Sequence, residues 1–215
     1  MRLSDYKTVV FDCDGVILDS NRVKTSAFFK TALPYGQAAA HQLVAYHTSH
    51  GGISRFKKFE YFLQAILQRE ATAAVMDQLL AAYAREVSSG LMQCAIATGL
   101  PELRASTPDS RWLVVSGGAQ SELREIFEQR GIAEFFDGGI FGSPDTKEEI
   151  LERQISEGAI EGETLFIGDS RYDHVASSAY GLGFVFLSGW TEFEGWQEYC
   201  NERGLAVRTR LSDLL

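Results

Sequence analysis

The chain has 215 residues and a net charge of −9, which excludes a general nucleic-acid binder because no broad basic field exists to displace counterions. At 45% hydrophobic and 23% charged residues it has the make-up of an ordinary soluble globular protein, long enough for one large domain or a core with a smaller second unit. Nowhere is there an apolar run of about 18 residues, so no membrane-spanning helix is expected.

The stretch Met1 to Lys7 lacks the apolar segment of a secretory signal. The three cysteines, Cys13, Cys94 and Cys200, are odd in number and lack metal-site spacing. A reducing compartment, the cytoplasm, follows as the expectation.

Thr8–Phe11 is β-branched and aromatic without a polar break, the pattern of a short buried strand. It runs into Asp12-Cys13-Asp14-Gly15. Two carboxylates at the end of a buried strand are costly to desolvate and repel each other. A bound cation resolves both costs, and all-oxygen ligation favours Mg²⁺. Cys13, between the acids, is expected to face the core.

Helical patterning then takes over. Ser20 is placed to cap a helix over 21–33, stopped by Pro34-Tyr35-Gly36, and 37–46 forms a second. Residues 47–52, ending in Gly51-Gly52, read as a turn. Phe56, Phe59, Phe62 and Ile66 recur at helical spacing after Ser54, and 72–87 carries Val75, Leu79, Leu80 and Tyr83 on one face. Residues 20–87 therefore form an all-helical module. Residues 88–110 are ambiguous.

From Arg111 onward strands alternate with helices. Strands are expected at 112–115, 139–141, 164–167 and 184–187, with a short edge strand at 206–208, and helices at 120–130, 146–157 and 172–180. This is an α/β class, a doubly wound parallel sheet interrupted by the helical insertion. The organisation expected is core at 1–19, helical cap at 20–87 and core at 88–215. Ligands of such sheets lie beyond the carboxyl ends of the strands.

Three further stretches fall at such ends. Ser116-Gly117-Gly118 offers a hydroxyl and open amides where a helix is expected to start, a phosphate site in form. Lys147 opens a helix, where the macrodipole disfavours a cation. Asp169 and Asp173 follow the 164–167 strand in Gly168-Asp169-Ser170-Arg171-Tyr172-Asp173. Each is common loop chemistry alone. In order they carry more weight.

Asp12-Cys13-Asp14-Gly15-Val16-Ile17-Leu18-Asp19-Ser20, then Ser116, Lys147 and Gly168-Asp169-Ser170, resemble the four motifs of the haloacid dehalogenase superfamily, in its phosphatase and phosphomutase branches. The insertion at residue 20 resembles the family's helical cap. Two features depart from it: Lys147 follows Pro144 by three residues where many relatives place Lys directly before proline, and Gly117-Gly118 stand where relatives carry Asn or a small residue followed by Lys.

The resemblance implies Asp12 as nucleophile, Asp14 as general acid and base with a raised pKa, and Mg²⁺ held by Asp12, Asp14 and Asp169. Ser116, Gly117 and Lys147 would bind the phosphoryl group, with Asp173 in support. In the cap, Gly52-Ile53-Ser54-Arg55 resembles the loop of β-phosphoglucomutase-like members, which implies Arg55, Ser54 and Lys58 as substrate residues. Arg55 would hold a second phosphate or a carboxylate bidentately. His47 and His50 flank this loop. The expected activity is hydrolysis of a small phosphorylated metabolite, a sugar phosphate before others. A phosphomutase using the same aspartyl-phosphate, or a binding module that lost turnover, are the rival readings, and the complete set of acids speaks against the latter.

Overall fold

The structure, a computed structural model, describes residues 2–215. Six parallel strands, β1 (Thr8–Phe11), β2 (Arg111–Ala119), β3 (Gly139–Ser143), β4 (Thr164–Gly168), β5 (Gly183–Leu187) and β6 (Ala206–Arg208), form one sheet in the order β3-β2-β1-β4-β5-β6. This is the doubly wound order, and the direction of winding reverses between β1 and β4. Thr8 is in register with Arg111 on one side and Thr164 on the other.

The central strand shows why the sequence run is continuous. Val9 and Phe11 face one way, toward Trp112, Val114, Leu165 and Ile167, while Val10 faces the other, toward Leu113, Phe166, Ile150 and Leu151. Both faces of a parallel sheet are covered, so alternation disappears. Cys13 is fully buried in the first of these clusters, as expected.

Between β1 and β2 lie α1 (Asn21–Ala32), α2 (Gln37–Ser49), α3 (Arg55–Tyr61) with a π-helical turn (Phe62–Ile66), and α4 (Ala73–Gln93). A short α5 (Leu100–Ser106) returns the chain to the sheet. The helices share a core of Phe28, Leu43, Phe59, Phe62 and Tyr83, continuous with the cluster on the sheet. After β2 come α6 (Gln120–Gln129), α7 (Lys147–Ser156), α8 (Arg171–Ala179) and α9 (Trp196–Arg203). No described helix is long and apolar enough to cross a membrane.

Several elements differ from expectation for identifiable reasons. The helix expected to end at residue 87 runs to Gln93, because Val87 and Leu91 extend its buried stripe. Gly90 breaks nothing: a Cβ there would lie 2.4 Å from Val23 Cγ1, so its small size lets α4 lie close on α1. Strand β2 runs past residue 115 through Ser116-Gly117-Gly118, with an irregular pairing between Val115 and Ala119. Helix α9 went unforeseen in a stretch whose outward face is polar.

Candidate active site

Asp12 leaves the end of β1 and is 2% exposed. Its Oδ1 lies 2.8 Å from Lys147 Nζ, within ion-pair distance but outside hydrogen-bond alignment. Lys147 also pairs with Asp173 Oδ1. The lysine reaches this position because Thr146 and Glu149 close a capping box, which fixes the first turn of α7 against the sheet. It is 1% exposed, and the two carboxylates raise its pKa against burial. Asp173 sits in the first turn of α8. Its Oδ2 accepts from Ser170 N–H at 3.0 Å and Ser170 Oγ at 2.6 Å, completing a second capping box.

Asp169 follows β4 and accepts from Asn21 Nδ2 at 2.7 Å. Its carboxylate occupies the space beside Gly15, where a Cβ would lie 2.0 Å from Asp169 Oδ2 and where φ is +75°. Only glycine fits the turn after the paired acids. Burial, reinforced by Asp173 and Asp12, raises the Asp169 pKa. The Asp12 carboxyl is pushed up to about 7 by burial, with Lys147 opposing and Asp173 and Asp14 adding to the rise.

Asp14 departs from expectation. Burial acts to raise its pKa, but the Lys24 ammonium and hydrogen bonds from Lys24 and Ser20 overcome it, and the net shift is downward. Ser20 Oγ donates to Asp14 Oδ1 at 2.5 Å, and Lys24 pairs with Oδ2. Ser20 therefore makes no side-chain cap of α1, the role expected of it. Lys24 and Asn21 carried no sequence signal beyond their places on the inward side of α1.

Ser116-Gly117-Gly118 lies inside β2 and not in the first turn of a helix, since α6 starts at Gln120. The strand continues to Ala119, and Gly118 N–H is taken by Ser116 Oγ at 3.0 Å. Ser116 lies wholly buried, whereas Gly117 and Gly118 line the cavity above Asp12. Gly117 meets the helical insertion directly: a Cβ would sit 2.1 Å from the Gly52 carbonyl oxygen. That contact explains the departure at this motif, since any side chain would hold the two layers apart.

On the insertion side, Arg55 does not point a free guanidinium into the cavity. It is 6% exposed, and both its terminal nitrogens engage the Glu122 carboxylate of α6, with Nη1 to Oε1 at 3.2 Å. The guanidinium also lies 4.5 Å from the Tyr83 ring centroid. Ser54 caps α3 by accepting from Lys57 N–H, so its hydroxyl is engaged as well. Lys58 is 2% exposed and lines the cavity, its Nζ 2.7 Å from His47 Nδ1. His47 lines the same cavity, but His50 is exposed and stacks on Tyr46.

The donor set fits a hard divalent cation. Carboxylate oxygens of Asp12, Asp169 and Asp173 lie within 4.8 Å of one another, and Asp12 Oδ1 accepts no hydrogen bond. Burial raises the pKa values of Asp12 and Asp169, the neighbouring acids add to the rise, and only Asp12 has Lys147 within ion-pair distance. Asp173 is saturated by Lys147 and Ser170, and the Asp14 side chain by Lys24 and Ser20. Side-chain ligation is thus open at Asp12 and Asp169.

A buried acid at the β1 terminus, a lysine from α7 and an acid after β4, on a doubly wound sheet with a helical insertion after β1, define a family. The haloacid dehalogenase-like hydrolase model matches residues 6–179, and the chain belongs to that family of enzymes. No curated protein matches the chain. Among solved structures it is similar to a predicted phosphatase from Clostridium acetobutylicum, with TM-score 0.74 and 17% identity, covering 97% of this chain and 96% of that one. β-Phosphoglucomutase from Clostridium difficile gives 0.73 and 17%, with coverages of 98% and 93%. A predicted phosphoglycolate phosphatase from Haemophilus somnus gives 0.66 and 17%, with coverages of 86% and 87%. At such identities the likeness is one of fold.

Proposed function

We propose that the protein is a Mg²⁺-dependent phosphatase acting on a small phosphorylated metabolite of the sugar-phosphate kind. Its helices α1–α4 serve as a cap over the core, bounded by residues 20 and 87 in the sequence reading and extended here by the end of α4. The observation that carries the reading is Asp12, buried at the strand end with one oxygen free of hydrogen bonds and Lys147 beside it.

Asp12 attacks phosphorus and forms an aspartyl-phosphate, which divides one displacement into two. Lys147 stabilises charge on the phosphoryl oxygens as it develops, and Asp173 holds the lysine in place. Asp12, Asp169 and the Asp14 backbone carbonyl would hold Mg²⁺, which screens the nucleophile from the phosphate. Asp14 is the acid and base. Paired with Lys24 and Ser20 it is ionised, the form that accepts a proton from the water attacking the aspartyl-phosphate. Donating a proton to the leaving oxygen requires that pairing to be broken. Gly117 and Gly118 supply the walls against which the phosphoryl group rests.

The phosphomutase reading draws on the close seating of Gly52 on Gly117, since transfer back to an intermediate demands that water be kept out. Release of phosphate from a panel of phosphorylated metabolites, against formation of an isomer, decides between them. Turnover of the wild-type protein that survives in Asp12→Asn overturns both.

A further inference from the structure

The cavity over Asp12 receives three cationic side chains from the helical insertion, Lys24, Arg55 and Lys58. Two are already matched with carboxylates, Lys24 with Asp14 and Arg55 with Glu122. Lys58 is not. Although 2% exposed, its Nζ has no carboxylate within ion-pair distance among the described residues. An ammonium in that position is expensive unless something pairs with it.

What holds Lys58 is a directed chain of hydrogen bonds. Thr25 Oγ1 donates to Glu192 Oε2 at 2.6 Å. The hydroxyl has one proton, and a carboxylate only accepts. Toward His47 Nε2, 3.0 Å away, Thr25 must therefore be the acceptor, which places the imidazole proton on Nε2. Nδ1 keeps its lone pair and accepts from Lys58 Nζ at 2.7 Å. Burial and the nearby Lys58 and Lys24 hold the His47 pKa well below its usual value, so it stays a neutral acceptor. One amine proton is thus fixed, the Phe28 ring lies 5.5 Å from Nζ, and the remaining donors are left for whatever enters the cavity. The arrangement uses three residues, His47, Thr25 and Glu192, to aim one amine and supplies it with no carboxylate at ion-pair distance.

We propose that Lys58, aimed by the chain through His47, Thr25 and Glu192, is the specificity-determining residue, and that the substrate is a phosphomonoester carrying a second anionic group, a carboxylate or phosphate, on its leaving portion. The inference rests on the reading that the transferred phosphoryl group lies at Asp12. Arg55 is then a link between the cap and α6, not the reader of the substrate. Thr25 and His47 are positioning residues. Because Thr25 belongs to the insertion and Glu192 to the loop after β5, the lysine is aimed only while that contact between the layers is made.

The test measures binding apart from turnover. The full chain carrying Asp12→Asn is titrated calorimetrically, with Mg²⁺ present, against ethyl phosphate, carboxymethyl phosphate and ethane-1,2-diol bisphosphate. One of the two esters with an added anion is expected to bind about tenfold or more tightly than ethyl phosphate, the size of a charge-assisted contact. Which of the two binds better tells carboxylate from phosphate. Adding Lys58→Met should bring the ratio to about one, and adding Thr25→Val should lower it partway. Should Lys58→Met fail to unfold cooperatively, Thr25→Val carries the test. Equal affinity for all three esters, a preference that survives in Lys58→Met, or one that disappears in Arg55→Met but persists in Thr25→Val overturns the proposal. The phosphatase reading fails separately, if wild-type protein releases no phosphate from any ester while the binding preference stands.

Discussion

The two walls of the cavity are built on different principles. On the core side each charged group leaves a strand end or a first helical turn and is matched by its neighbours: Asp12 and Asp173 share Lys147, and Asp173 is fixed by Ser170. On the cap side the three cations come from two helices, α1 and α3, and the contacts that tie this wall to the core join residues far apart in sequence, as with Arg55 and Glu122 or Thr25 and Glu192. Asp12, Lys147 and Asp173 are held to one another by core elements alone, whereas Asp14 and Asp169 also take contacts from Lys24 and Asn21 of α1. Within the cap, His47 binds both Lys58 and Thr25, and Glu122 and Glu192 of the core complete the wall. Chemistry that must not vary belongs on the first wall, and recognition that must open and close belongs on the second.

The largest effect should come from the core wall. Asp12→Asn, nearly isosteric, is expected to lower kcat by more than about 10³-fold, roughly 4 kcal/mol of barrier, with the thermal unfolding transition retained. A variant keeping a tenth of wild-type turnover would refute the nucleophile. Chelation should likewise abolish activity while the apo protein still unfolds cooperatively, and Asp169→Ala should shift the Mg²⁺ concentration needed for half-activity upward. Full activity in chelator removes the cation from the mechanism.

The cap wall should respond differently. Glu122→Gln and Arg55→Met each break one ion pair and should raise KM alike, with a stability loss of about 1–3 kcal/mol for an incompletely buried pair. Their double mutant should cost little more than either alone. If Arg55→Met raises KM while Glu122→Gln leaves it unchanged, the guanidinium reads the substrate after all.

A pH profile sharpens the same contrast. Burial, with Lys24 adding to it, lowers the Lys58 pKa to about 7, against opposing pulls from Asp14 and Glu192 and a further push from Lys147. Below that pH the amine is charged and can pair with an anion, and above it the charge is lost. kcat/KM for an ester with a second anion should therefore fall as pH rises through about 7, relative to ethyl phosphate measured alongside. A ratio flat from pH 6 to 8 would exclude the ammonium as the contact. The smallest effect is expected at Gly90→Ala, where the methyl group meets Val23. Overpacking of about 1–3 kcal/mol is offset by about 1 kcal/mol of helix propensity, so a modest fall in Tm with near-normal kcat is the expected result.

The core wall was legible from residue order. A β-branched run ending in Asp12 and Asp14, a lysine at the start of a helix and Asp169 with Asp173 after a later strand are local patterns, and local patterns are what periodicity and capping encode. Lys147, displaced from its usual distance to proline, still reaches Asp12 and Asp173 from the first turn that the Thr146 capping box fixes. The cap wall was not legible. Ser54, Arg55 and Lys58 stand close together in sequence, yet one caps a helix, one is held by Glu122 and one faces the cavity. Lys24 reverses the expected pKa shift of Asp14, and Gly90, in the stretch whose pattern was ambiguous, lets α4 lie close on Val23 of α1. An amphipathic helix encodes which face turns inward, but the carboxylate an inward cation meets is fixed only when separate elements pack. That is why the sequence alone determined the sheet, its order of motifs and the acids at its strand ends, while the tertiary structure decided which cations of the cap are engaged and which one remains for a ligand.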